Sequence, residues 1–271
     1  MKRVYPAVDW PETWKYSYAY DLLELYGASS NLGYSYSYDA RRRQTLRLVV
    51  EAVAPPARIL DVAAAQGNFS LTLAEMGYDV TWNDLRQDLA GYVRLKHEKG
   101  LLSFAPGNVF ELSFPALFDA VLITEIIEHV AHPDKFLESI AKLVKPGGVV
   151  IVTTPNGAYV RNKLPKFSDC ADPSVFETVQ FRPNSDGHIF LLHPEELTLL
   201  AHRAGLLTET TCLFNSPLTN GHLKLAPLLR LLPSRAVHVL EEWMTHIPHS
   251  LRRKLSIHMA ARLRKPVSRS S

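Results

Sequence analysis

R-I-L-D-V-A-A-A-Q-G-N-F-S-L-T-L-A-E-M-G-Y-D-V-T-W-N-D, from Arg58 to Asp84, organises this chain. Arg58 to Val62 is a short apolar run that carries an acid, Asp61, near its end. A small-residue turn around Gly67 follows, and then an amphipathic segment whose apolar positions are Phe69, Leu71, Leu73 and Met76. Gly77 closes that helix, and Tyr78 to Trp82 supplies a second strand that leads to Asp84. The unit is strand, turn, helix, strand, with an acid after each strand. Such a unit builds a nucleoside pocket: the tight turn lets backbone N–H groups approach a ligand, and an acid about 20 residues on accepts from ribose hydroxyls.

Composition bounds the rest. The 271 residues, with ordinary aromatic content and near-neutral mean hydropathy, suffice for one α/β core with appendages. No apolar run reaches the about 18 residues of a membrane span. Met1 to Tyr20 has no signal-peptide core, so a cytoplasmic location is expected. Cys170 and Cys212 lie far apart without metal-binding or redox spacing and read as free thiols. The net charge of +3 is unevenly placed: no acid follows Glu242, whereas Arg252, Arg253, Lys254, Arg262, Arg264, Lys265 and Arg269 do. Without them the chain is net negative. Its catalytic part is therefore no nucleic-acid platform, and affinity for anionic surfaces would belong to the tail.

The Arg58 to Asp84 stretch resembles motif I and the following acidic position of class I S-adenosylmethionine-dependent methyltransferases, whose usual motif I is close to D-V-G-C-G-x-G. Here Asp61, Val62, Ala63, Ala64, Ala65, Gln66 and Gly67 stand in its place. Alanine replaces two of the three glycines. It is tolerated only where φ is negative, so negative φ is expected at Ala63 and Ala65, with Gly67 the one position that still needs glycine. The resemblance implies a Rossmann-like α/β fold, its sheet mostly parallel with an antiparallel edge strand. It also implies S-adenosylmethionine as cofactor, held at Asp61, Ala63, Ala65, Gly67, Asp84, Leu85, Asn108, Val109 and Thr124. Three regions are expected: an aromatic arm or lid over 1–45, the cofactor-binding domain over 46–215, and a basic helical extension over 216–271.

Eight of the eleven tyrosines lie before residue 39, at Tyr5, Tyr16, Tyr18, Tyr20, Tyr26, Tyr34, Tyr36 and Tyr38, together with Trp10 and Trp14. Aromatic rings with polar tips suit a lid that packs on a domain while facing a ligand, or an arm docked in a groove. Asp39 to Ala52 reads as an amphipathic helix with Leu46, Val49, Val50 and Val53 on one face, ended by Pro55-Pro56. Beyond the organising unit, Asp88 to His97 reads as helix and Leu101 to Ala105 as a third strand. Asn108 follows Gly107 where the family usually has Gly-Asp beside the adenine amino group. An Asn oxygen accepts as well as an Asp oxygen does, and a turn residue is the other reading.

Phe118 to Asn156 carries the most specific pattern: a buried strand to Thr124, E-I-I-E-H-V over Glu125 to Val130, a helix from Pro133, the turn Lys145-Pro146-Gly147-Gly148, a strand from Val149, and Thr154-Pro155-Asn156. This order resembles the branch that holds ubiquinone-biosynthesis O-methyltransferases and small-RNA 3′-terminal 2′-O-methyltransferases. Glu125, Glu128 and His129 fall at i, i+3 and i+4, on one face of a helical turn at the ligand-binding end of a parallel strand. Two carboxylates and an imidazole suit Mg²⁺, Mn²⁺ or Zn²⁺. In the RNA-methylating relatives a distant His in H-x-F is the fourth ligand, and His188-Ile189-Phe190 matches it. The other readings are a metal-free base at His129 or His188, with Glu125 beside it, and a structural role. His193 could compete with His188 but precedes Pro194 and reads as part of the helix entry; His132 precedes Pro133 in the same way and is assigned no role.

Residues 157 to 192 read as a long insertion over the active site, where Arg161, Lys163, Lys166 and Arg182 would steer an anion or simply stay solvated. Pro194 to Ala204 is an expected helix and Leu206 to Phe214 the last strand, antiparallel at the sheet edge. Ser234 is expected to cap a helix with Ala236, Val237, Leu240, Trp243 and Met244 inward. Leu251, Leu255, Met259 and Leu263 mark another helix with cationic flanks, which would lie on an anionic membrane, on a second subunit in a homodimer or on the core.

The expected activity is O-methylation of a hydroxyl on a small or lipid-linked molecule, with or without a divalent ion. The alternatives are a 3′-terminal RNA 2′-O-methyltransferase, an N- or C-methyltransferase of a small molecule, and a cofactor-free scaffold.

Overall fold

The computed structural model describes residues 1–180, 187–220, 222–223 and 225–267. Its strands are β1 (Arg58–Val62), β2 (Asp79–Trp82), β3 (Leu101–Phe104), β4 (Phe118–Thr124), β5 (Val144–Pro155), β6 (Leu207–Phe214) and β7 (His258–Arg264). The helices are α1 (Glu12–Glu24), α2 (Leu32–Ala52), α3 (Asn68–Glu75), α4 (Leu89–Lys96), α5 (Pro133–Leu143), α6 (Pro194–Arg203), α7 (Ala226–Leu231), α8 (Ser234–Met244) and α9 (His249–Leu255). The strands form one sheet in the order β3-β2-β1-β4-β5-β7-β6. From β3 to β5 all pairs are parallel; β7 runs antiparallel to both its neighbours.

Alternation along the strands loads both faces of the sheet. Leu60, Val121, Ile123, Val150 and Val152 point to the side covered by Phe136, Leu137 and Ile140 of α5 and by Leu197 and Leu200 of α6. Ile59, Ala120, Leu122, Val149 and Ile151 point to the side covered by Leu48 and Val49 of α2 and by Phe69 and Leu73 of α3. Apolar residues on both faces are the mark of a parallel sheet covered on both sides.

The tail departs from the sequence reading. Met259 and Leu263, expected on a cationic helix, belong to β7, and β7 fills the slot between β5 and β6. The four-residue spacing of Leu251, Leu255, Met259 and Leu263 mimics a helix, but Met259, Ala261 and Leu263 share one sheet face at a spacing of two, and Ala260 meets the α2 side. Several cations of this segment have partners within the fold. Arg262 and Arg264 pair with Glu209, Arg253 with Glu195, and the Lys265 ammonium donates to the Ala141 and Val144 carbonyls at the end of α5. Of the expected cationic helix only α9 (His249–Leu255) is helical, and Arg269 falls outside the described residues. No helix among the described residues is long and apolar enough to cross a membrane.

Helix α8 also differs. Trp243, expected inward, is 76 % exposed, while Val237 is buried. The helix is held by polar contacts instead: Glu241 accepts from Ser216 N–H and Oγ, and His238 Nε2 lies 3.1 Å from Asp39. Ser234 begins α8 without a side-chain cap. On α2, Val50 faces solvent, and the helix begins at Leu32 rather than Asp39 because the Asn31 side chain accepts from Tyr34 N–H.

The N-terminal helices are stitched to the domain by a buried polar network. The Lys96 ammonium on α4 lies 2.6 Å from Asp21 Oδ2 on α1 and 2.6 Å from Asn68 Oδ1 at the start of α3. Tyr92 Oη and Asn68 Nδ2 donate to the same Asp21 carboxylate, and Lys96 and Asp21 are both fully buried. Beside them Trp14 packs on Gly91, where a Cβ would lie 2.6 Å from its ring.

Two outcomes are expected. Truncation after Leu255 strips the interior edges of β5 and β6 and should abolish cooperative unfolding, read by circular dichroism in urea. Lys96→Met should lower stability by about 3–5 kcal/mol by leaving Asp21 buried and unpaired, and adding Asp21→Asn should restore much of that loss in the same assay.

Candidate active site

At the carboxyl ends of the parallel strands lies a cavity of about 470 Å³. One wall is the turn after β1, Ala63 to Gln66; the next is Asp84, Leu85 and Arg86 after β2; a third is Thr124 to Ile126 and His129 after β4. Helices α1 and α2 close it with Tyr16, Tyr20, Glu24, Tyr34, Tyr38 and Arg41. Part of the tyrosine-rich start is thus the roof of the cavity.

The turn after β1 corrects one expectation. Ala63 and Ala65 have φ of +50° and +47°, and Gly67 has +72°, so all three glycine-type positions are left-handed. An L-residue in that region costs about 1–2 kcal/mol. The conformation is held by Ala64 N–H on the Asn83 carbonyl and by Ala65 N–H on Asp84 Oδ2, both at 2.8 Å. Packing explains why Gly67 alone remains glycine: a Cβ there would stand 2.8 Å from the Val93 side chain of α4 and 3.3 Å from the Trp82 ring.

The residues that the resemblance assigns to the cofactor separate into two groups. Ala63, Ala65, Asp84, Leu85 and Thr124 line the cavity. Asp61 is buried behind it and accepts from Ser70 Oγ, fastening α3 to β1; burial pushes its pKa up to about 7. Asn108 behaves as a turn residue, its Oδ1 accepting from Phe110 N–H and its amide donating to Glu111, and Val109 is buried; neither lines the cavity.

The E-x-x-E-H segment folds as a 3-10 turn, Ile127–His129, preceded by Glu125 at φ +54°. That left-handed step turns Glu125 away from the other two. Its carboxylate lies 3.2 Å from Arg41 Nη1 and 3.8 Å from His258 Nε2. Burial works to raise the Glu125 pKa, but the charge of Arg41, with those of His258 and His188, outweighs it and leaves the group below the usual carboxylate range. Burial pushes His258 itself down to about 4.

Glu128 is fully buried and accepts from Thr154 Oγ1 at 2.9 Å, while its Oε1 is 4.0 Å from His188 Nε2. Burial, reinforced by the nearby Glu125 charge, holds its pKa well above the ordinary value. His129 and His188 meet edge to face with ring centroids 4.8 Å apart, and Ile189 N–H donates to the Glu128 carbonyl, fixing the distant histidine beside the turn. Among the described residues, Glu128, His129 and His188 bring three donor atoms within 4.8 Å of one another. Three of the four expected metal-site residues therefore converge, and Glu125 does not. His193 caps α6 in a capping box with Glu196, and His132 bonds Glu177 of the 157–192 segment. Of that segment's cations, Arg161 donates to the His222 carbonyl, and Arg182 lies outside the described residues.

Sequence reasoning missed Arg41, His258 and Glu24. Arg41 is one of three consecutive arginines, and nothing in A-R-R-R marks which one turns inward. His258 lay in the segment read as helix. Glu24 is half-buried against the cavity and accepts from Tyr34 Oη, Gln66 Nε2 and Asn68 Nδ2, contacts that join α1, α2 and the motif turn.

Among curated proteins, the ubiquinone biosynthesis O-methyltransferase of Caulobacter sp. (strain K31) is 36 % identical over 103 residues, covering 36 % of this chain and 41 % of that protein. The enzyme of the same name from Sinorhizobium fredii is 29 % identical over 177 residues, 60 % of this chain and 65 % of the relative. The matches thus span from about two fifths to just under two thirds of the relatives' lengths. A crystal structure of a SAM dependent methyltransferase from Archaeoglobus fulgidus superposes with a TM-score of 0.57 at 15 % identity, over 92 % of this chain and 100 % of that one, a likeness of fold. The family model described as a methyltransferase domain matches residues 38–210, from the cavity-lining Tyr38 into β6 and over more than half of the chain, and the protein belongs to that family.

Proposed function

We propose that this protein is an S-adenosylmethionine-dependent methyltransferase that methylates a hydroxyl on a small or lipid-linked molecule. The observation that carries the reading is the single cavity shared by the nucleoside-type turn, Asp84 and the Glu125 to His129 segment. The residues present suit the cofactor. Asp84 is the acid for ribose hydroxyls, Arg41 is a half-buried guanidinium for an amino-acid carboxylate, and the rings of Tyr16, Tyr20, Tyr34 and Tyr38 offer π-faces to a sulfonium. The names of the Caulobacter and Sinorhizobium relatives favour oxygen as the acceptor atom.

When bound, S-adenosylmethionine supplies a methyl group already activated by its sulfonium, so the protein has mainly to orient and deprotonate the acceptor. His129 faces the cavity and is the base for the acceptor hydroxyl's proton. His188 packs on its ring, and Glu128, its carboxyl held by Thr154 and its pKa raised by burial, lies behind the pair, 4.0 Å from His188. The tyrosine roof excludes water from the reacting groups.

A second reading has its own support in the converging donors of Glu128, His129 and His188. These three would hold Mg²⁺, Mn²⁺ or Zn²⁺, which would lower the pKa of an acceptor hydroxyl and favour substrates with two adjacent oxygens. Glu125 would stay with Arg41.

His129→Ala and Glu128→Ala should each keep S-adenosylhomocysteine binding, measured by calorimetry, while turnover falls about 10²–10⁴-fold; full turnover in both variants would sink the site. Metal analysis of purified protein separates the two readings. Stoichiometric metal, lost in His129→Ala, is the outcome expected of the ion site; turnover that persists in metal-stripped protein is the outcome expected of the histidine base.

A further inference from the structure

The carboxylate best placed for a ribose is already saturated from within. Asp84 is 3 % exposed. Its Oδ1 accepts from Arg86 N–H and from Arg86 Nε, both at 2.9 Å. Its Oδ2 accepts from Ala65 N–H at 2.8 Å and from Arg86 Nη2 at 3.0 Å. A carboxylate has about four lone-pair sites. Four donors fill them, and no capacity remains for a ribose hydroxyl.

The four donors are not equivalent. Two are backbone N–H groups of the turns after β1 and β2, and their geometry is that of the turns themselves. The other two belong to one guanidinium, which forms part of the cavity wall and is 37 % exposed. Only the guanidinium can leave without unfolding the site, because a side-chain rotation frees it and solvent is at hand to hydrate it. A planar fork on a carboxylate is also a fair mimic of a vicinal diol, since both present two donors side by side.

We propose that Arg86 occupies the ribose subsite as an intramolecular competitor and that the cofactor must displace its guanidinium from Asp84 to bind. This rests on the reading of the cavity as an adenosyl-cofactor site. The backbone donors of Ala65 and Arg86 stay in place throughout and keep Asp84 aimed at the cavity, while the departing fork vacates one acceptor position on each oxygen. The vacated pair matches the two hydroxyls of a ribose. Arg86 thereby sets how tightly the cofactor is held, and it keeps a buried acid paired when the cavity holds no cofactor.

The test is calorimetric titration of S-adenosylhomocysteine into the wild type, Arg86→Ala, Arg86→Gln and Asp84→Asn. Removing the competitor should tighten binding about three- to tenfold in Arg86→Ala, the gain expected from abolishing a partly exposed ion pair. Arg86→Gln keeps one donor and should fall between wild type and Arg86→Ala. Asp84→Asn should weaken binding, which confirms that the carboxylate is the ribose acceptor. Unchanged or weaker binding in Arg86→Ala, with the wild type still binding, overturns the competitor and makes the guanidinium a direct ligand or a bystander. Failure of the wild type and of both Arg86 variants to bind overturns the cofactor reading itself, and the competitor with it.

Discussion

The contact on which the rest of the site depends is the fully buried pair of Asp21 and Lys96. A buried charge left alone is strongly unfavourable, so each of these residues demands the other and every remaining lone pair and proton demands a partner. Asn68 and Tyr92 supply them. The network joins α1, the start of α3 and the end of α4, and from Asn68 it passes to Glu24 and on to Tyr34 and Gln66. An arm that would otherwise be a loose aromatic segment is thereby locked to the turn that forms the cofactor wall. Tyr16 and Tyr20 line the cavity because Asp21 holds α1 there, and Glu24 ties Tyr34 of α2 to them.

Backbone strain is concentrated in the same place. Ala63, Ala65 and Glu125 are three of the four non-glycine residues with positive φ among those described, and they follow β1 and β4, the two central strands. Strain of this kind persists only where surrounding contacts over-determine the conformation. At the β1 turn those contacts are Asn83 and Asp84; at Glu125 they are Arg41 and His258. One consequence is chemical. The twist at Glu125 splits the two glutamates of E-x-x-E-H, one drawn below its usual pKa by a guanidinium and the other pushed above it by burial. Two carboxylates three residues apart are thus given different work by their surroundings.

The C-terminal strand shows why a single-segment reading fails on a buried sheet. H-M-A-A-R-L-R is poor in the β-branched residues that advertise strands, and its alanines favour helix locally. Placed between β5 and β6, it buries Met259, Ala261 and Leu263 on one face and Ala260 on the other, and Arg262 and Arg264 find Glu209 across the pairing. Tertiary burial overrides propensity here. The same strand brings His258 to Glu125, so one misreading hid both an element of the fold and a residue of the site.

Whereas His188 is singled out only by its resemblance to a family pattern, the residues read along the chain alone give the alternation of strands and helices from Arg58 to Pro155, the turn around Gly67, and the acids near the ends of β1 and β2. Those features are local: they rest on periodicities of two and 3.6 and on turn residues read within a few positions of one another. Which arginine of A-R-R-R enters the cavity, and that Asp61 braces a helix while Asp84 faces the pocket, came only with the packed fold. It also decided that Glu125 leaves the histidine cluster and that the last strand lies inside the sheet. Each of these depends on which distant group is close enough to neutralise a buried charge or to fill a gap between strands, and no spacing along the chain encodes that distance.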